Sequence, residues 1–240
     1  MTGREMAAKP KWWLAIAGLA LLLAGAFLAQ MIRTSDGIAI RDIRFSGTKS
    51  AQMSALLYVP KGATSATKVP GILAVHGYIN SRETQDGFAI EFARRGYVVL
   101  SIDQRGHGYS DGPAFADGFG GPDALAYLRS LPMVDTGQIG LEGHSMGGWT
   151  ILAAATAMPD SYASMVLEGS STGKPFAEEG SPGWPRNMAL VFSKYDEFSK
   201  IMWDVDRAMD VNNSAKLQAV FGDCVFKNIE QKEGDADQQD

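Results

Sequence analysis

The sequence predicts an α/β fold: a mostly parallel, doubly wound sheet preceded by one N-terminal transmembrane helix. Three observations carry that expectation. Short apolar runs such as "GILAVHG" and "YVVLSID" alternate with helix-spaced segments, the pattern of βαβ units. An unbroken apolar run lies near the N-terminus. A strand, a sharp turn and a helix are compressed into "IGLEGHSMGGWTILAAA" between Ile139 and Ala155.

The elements follow in chain order. Trp12 to Ala29 is eighteen residues without a polar side chain, long enough to span a bilayer as a helix. Trp12 and Trp13 suit the headgroup level. Arg4, Lys9 and Lys11 precede the run, which places residues 1–11 in the cytoplasm and the remainder outside. The alternatives are a signal peptide cleaved near Ala24-Gly25-Ala26 and a buried core helix. Residues 12–32 are read as a signal-anchor in the cell membrane, with a single pass. "IAIRDIRFSG" from Ile38 alternates as a strand, and "MSALLYVP" from Met53 is a second. "GILAVHG" is a strand buried on both faces. "TQDGFAIEFARRG" has helical spacing and stops at Gly96. "YVVLSID" is the next strand, and Asp123 to Leu131 a helix ended by Pro132. "QIGLEG" is a strand, Met146 to Met158 a helix, and "SMVLEGSS" and "NMALVFSKYD" two more strands. Between these last two, "KPFAEEGSPGWPR" carries three prolines, and 170–187 reads either as a short cap or as an irregular crossover. The folded domain is set at 33–227.

Composition excludes several classes. Apolar residues make up 45% of the chain, enough for a sizeable core. Net charge is −5, and residues 228–240 hold five acids against one lysine, so this tail reads as acidic and disordered. Nothing basic points to nucleic acid. A single cysteine, Cys224, excludes an intrachain disulfide. With three scattered histidines it forms no metal-ligand spacing, and no metal or cofactor is expected. The sequence does not set the oligomeric state.

Gly143-His144-Ser145-Met146-Gly147 fits G-x-S-x-G. A strand must turn into a helix within a few atoms there, and only small neighbours permit it. The result is an exposed Ser145 hydroxyl at a helix N-terminus, where N–H groups face developing negative charge. Two further motifs sit upstream: His76-Gly77-Tyr78 at the end of one strand, and Asp103-Gln104-Arg105-Gly106-His107-Gly108-Tyr109-Ser110, a D-x-R-G-x-G-x-S loop, after the next. In that order and spacing the chain resembles the α/β-hydrolase family from about Ile38 to Phe198, closest to its esterase, dienelactone-hydrolase and peptidase-like branches.

The resemblance implies a serine hydrolase that cleaves a carboxylic ester, thioester or peptide bond through an acyl-serine. Ser145 is then the nucleophile, and the backbone N–H groups of Tyr78 and Met146 form the oxyanion hole. The Tyr78 hydroxyl either faces the substrate or packs beside the site. The acid is expected at the end of a late strand, at Asp196. Glu168, one strand earlier, is the alternative, and Glu197 is adjacent to Asp196. Family members place the base after the last strand, yet no histidine follows Ser145. His76, His107 and His144 read as structural, His144 packing against neighbouring strands. The base is therefore expected outside this sequence, or lost in this lineage. The second reading is a non-catalytic or nearly inactive binding module on the same fold, since losing a triad member costs about 10⁴ to 10⁶ in kcat.

Overall fold

The computed structural model of the 240-residue chain describes residues 12–170 and 187–191. Residues 1–11, most of the 170–187 cap candidate and the 228–240 tail lie outside the described residues. The chain divides into two units, Met1–Gly37 and Ile38–Asp240. In the first, helix α1 (Trp12–Arg33) is 22 residues long, and none of its residues is buried. It is the one helix among the described residues long and apolar enough to cross a membrane.

Among the described residues the second unit holds a seven-stranded sheet. Its strands are β1 (Ala39–Ser46), β2 (Gln52–Val59), β3 (Val69–Val75), β4 (Val98–Asp103), β5 (Val134–His144), β6 (Ser164–Glu168) and β7 (Met188–Val191). Their spatial order is β1-β2-β4-β3-β5-β6-β7. β1 and β2 pair antiparallel, β2 meets β4 antiparallel, and every other neighbour is parallel. The helices are α2 (Asp86–Arg94), α3 (Gly121–Ser130) and α4 (Met146–Ala157). β5 begins four residues earlier than "QIGLEG" suggests, and the helical pattern from Thr84 opens with a 3₁₀ turn over Arg82–Gln85 before α2.

The period of two along each strand divides the core. Leu73 and Val75 of β3, and Val98, Leu100 and Ile102 of β4, face Leu125 and Leu128 of α3 and Ile151 and Leu152 of α4. Ile72, Ala74 and Val99 face the other way, toward Ala89 and Ala93 of α2. Helices thus cover both faces, which is why β3 and β4 read as unbroken apolar runs.

Two polar features interrupt this core. The first centres on Asp103, the last residue of β4, which is fully buried. Its carboxylate accepts from the Ser54 hydroxyl at 2.8 Å, the Arg82 N–H at 2.9 Å and the Tyr109 N–H at 3.1 Å. The buried Arg82 guanidinium lies 3.6 Å away and donates twice to Asp42, at 2.9 Å each. Burial alone would lower the pKa of Arg82, but Asp42, Glu83 and Asp103 raise it well above the ordinary value. The second is Glu142 on β5, 3% exposed, with neither carboxylate oxygen hydrogen-bonded. It lies on the α2 face between Ala74 of β3 and Val166 of β6. Desolvation, assisted by the nearby Glu168 charge, pushes its carboxyl up to about 8.

Replacing Arg82 by Met strands the Asp103 charge in the interior. Breaking one side of a buried pair costs roughly 3–5 kcal/mol, so the urea midpoint of Arg82→Met falls sharply. Glu142 sets a pH dependence. Between the ordinary carboxylate range and about 8 the folded chain holds a proton that the unfolded chain has released, so stability falls as pH rises through that window. Glu142→Leu removes that decline, and thermal melts show a larger gain in Tm at pH 8 than at pH 5.

Candidate active site

Ser145 connects β5 to α4 at φ 53° and ψ −117°, a backbone conformation rarely adopted by a residue with a side chain. The strain is held from several sides. The Ser145 N–H donates to the Glu168 carbonyl at 2.8 Å, tying the turn to the end of β6. The Ser145 carbonyl accepts from the Gly148 N–H at 2.9 Å, closing the first turn of α4. A Cβ on Gly143 would collide with the Gly147 carbonyl, and one on Gly147 with the Val75 carbonyl of β3. These two glycines let a strand, a turn and a helix occupy the same few ångströms.

Ser145, Met146 and Tyr78 meet in one cleft of about 340 Å³, together with Phe115, Trp149, Gly169 and Ser170. Of the site residues expected from the sequence, the nucleophile candidate Ser145 and the two oxyanion candidates Tyr78 and Met146 are thereby brought together, and Glu168 is not among the cleft's lining residues. Met146 is the first residue of α4, so its N–H has no acceptor within the helix. Tyr78 follows β3 and is 57% exposed, its ring at the cleft and 6.3 Å from that of Phe115. Glu168 ends β6 beside His144, its register partner on β5. Partial burial raises the Glu168 carboxyl above the ordinary range, and His144 pulls it down. Asp196 and Glu197 lie outside the described residues.

The histidines differ in environment. His76 is fully buried. Its Nδ1 is 2.7 Å from the Gly77 carbonyl, and its Nε2 accepts the Gln104 N–H at 3.2 Å. Both ring nitrogens are engaged, and burial holds its pKa below the ordinary value despite the Gly77 carbonyl. The Gln104 side chain adds a 2.6 Å bond to the His76 carbonyl and accepts from Thr150 on α4. His76 thus links the loop carrying Tyr78 to the loop after β4. His107 is half-buried, with Nδ1 3.2 Å from the Arg105 carbonyl and its ring edge-on to Tyr78 and Phe115. His144 is exposed, against the expectation that it packs among strands, because it stands at the open end of β5. Its ring lies beside Gly77.

Sequence reasoning missed Phe115, Trp149 and Ser170. Trp149 was within reach of it: four residues after Ser145, it stands one helical turn along on the same face. Phe115 had no such signal, since it comes from an irregular loop. Among the described residues no group of three His, Cys, Asp or Glu is placed to hold a metal ion.

Comparison with known proteins is consistent with this geometry. A family model described as alpha/beta hydrolase fold matches residues 70–201, and one described as acetyl xylan esterase matches residues 11–124. The quorum-quenching protein AidA of Acinetobacter baumannii is 32% identical over 124 residues, 48% of this chain and 38% of that protein. The human mitochondrial palmitoyl-protein thioesterase ABHD10 is 34% identical over 103 residues, 41% of this chain and 33% of that protein. The chain therefore spans little more than a third of the length of these curated relatives. Among solved structures, the alpha/beta hydrolase GrgF from Penicillium sp. sh18 superimposes with a TM-score of 0.50 at 22% identity, over 56% of this chain and 47% of that one. An acetyl xylan esterase from Paenibacillus sp. R4 gives 0.50 at 22% identity, over 55% and 49%. These two likenesses concern the fold. The first family match takes in more than half of the residues, and on that ground the chain belongs to the alpha/beta hydrolase family.

Proposed function

We propose that the protein is a membrane-anchored serine hydrolase acting on a small carboxylic ester, thioester or peptide through an acyl-serine intermediate. The observation that carries this reading is Ser145 itself, held at φ 53° at the start of α4 and opening onto the cleft. In the reading, the Ser145 hydroxyl attacks the substrate carbonyl and loses its proton to a base. The tetrahedral oxyanion is met by the N–H groups of Met146 and Tyr78, worth about 3 kcal/mol each. The leaving group departs protonated, and water then releases the acid from the acyl-serine. Asp196 orients the base, with Glu168 as the alternative. The acetyl xylan esterase match and the thioesterase relative support ester or thioester chemistry.

The second reading is a nearly inactive hydrolase-like module that binds a ligand in the same cleft. One observation favours it: the buried His76 has both ring nitrogens engaged. A fluorophosphonate probe separates the two. Labelling that disappears in Ser145→Ala supports the hydrolase, with turnover of that variant lower by about 10⁴-fold or more. No labelling at high probe concentration supports the binding module.

We place α1 across the cell membrane, with the hydrolase domain outside the cytoplasm. Its length and composition support this. Under alkaline carbonate extraction an anchored chain stays in the membrane pellet. A soluble mature chain beginning after Ala26 would instead mark a cleaved signal peptide.

A further inference from the structure

Beyond the elbow, the cleft has a chemical character of its own. Beside Ser145 its described lining is Tyr78, Phe115, Met146, Trp149, Gly169 and Ser170. No charged side chain lines it among the described residues. Tyr78, Phe115 and Trp149 remain 57%, 54% and 44% exposed, so three large aromatic residues line the cleft beside Ser145 without being buried. Single exposed aromatics need no explanation, but three around one nucleophile candidate form a patch.

Their placement is built into the fold. Trp149 stands one turn after Ser145 on α4, and side chains on a helix lean toward its N-terminus. The indole therefore leans over the turn that carries the serine. Phe115 reaches the cleft from the loop after β4, braced edge-on by Phe119 at 5.8 Å and stacked with Tyr78 at 6.3 Å. Tyr78 comes from the loop after β3. Three separate segments thus converge on one apolar slot.

We propose that this slot binds the acyl part of the substrate, and that Trp149 and Phe115 select an uncharged aliphatic acyl chain of medium length over acetyl or a charged acyl group. The proposal rests on the serine-hydrolase reading and names its substrate class. A space of about 340 Å³ is several times what an acetyl group fills, so it admits a longer acyl chain. A carboxylate on the acyl group would be desolvated there with no described cation to meet it.

The test uses the full-length protein in one fixed detergent and has two arms. The first measures kcat/KM for the 4-nitrophenyl esters of acetate, butyrate, hexanoate and octanoate, and for the hemisuccinate. The expected octanoate-to-acetate ratio is at least tenfold, with hemisuccinate slower than butyrate. In Trp149→Ala and Phe115→Ala the ratio collapses toward one, while Trp149→Phe keeps most of it. The second arm measures binding of butanamide and octanamide, which are not hydrolysed, by calorimetry. Affinity rises by roughly fourfold per added methylene, and Trp149→Ala abolishes the rise. Affinity independent of chain length overturns the proposal, whatever the esters show. So does Ser145-dependent hydrolysis that favours acetate. Length-dependent binding without Ser145-dependent hydrolysis upholds the acyl slot and overturns the serine reading alone.

Discussion

The bond from the Ser145 N–H to the Glu168 carbonyl, 2.8 Å long, joins the tip of one strand to the end of its neighbour. The arrangement around the cleft depends on it. A residue at φ 53° and ψ −117° drifts back to a relaxed conformation unless its surroundings hold it. Here the hold comes from β6 on one side, from Gly147 against the β3 backbone on another, and from α4 closing on Gly148. Because α4 starts where the turn ends, the same constraint brings Met146 and Trp149 to the cleft beside Ser145.

A second layer of polar contacts fixes what lies opposite. Asp103 gathers Ser54, Arg82 and Tyr109, so the end of β4 is tied to β2 and to the segment before α2. Gln104, the next residue, bonds His76 through its backbone and side chain. The loop carrying Tyr78 is therefore held at its start by His76 and at its end by Arg82. Buried polar networks of this kind are costly when incomplete and rigid when complete. This one leaves Tyr78, Ile79 and Asn80 exposed on a loop held at both ends.

Most of the fold was legible in the sequence because its signals are local. Runs such as "GILAVHG" are apolar without alternation since helices cover both faces of β3, and the observed strands fall on the expected segments. The elbow was legible because its glycines are required by backbone contacts a few residues away. The early start of β5 was not, since "VDTGQ" lacks an apolar pattern and pairs through Val69 and Pro70 of β3. Phe115 was illegible for a related reason: its position follows from loop geometry and ring packing that no period encodes. His144 shows the converse. The three residues before it are buried, yet the strand ends at His144 and leaves it exposed.

Strand β1 pairs only with β2 among the described residues, so one row of its N–H and C=O groups has no partner strand. A bare edge of that kind is a template for another chain. Arg41, Asp42 and Arg44 lie along it, and Arg44 and the buried Arg82 both engage Asp42. A second strand docking there would have to strip water from these charges. The edge therefore resists self-pairing by charge rather than by cover. That protection matters most where many copies share a confined surface, since crowding multiplies encounters between edges but does not lower the cost of drying their charges.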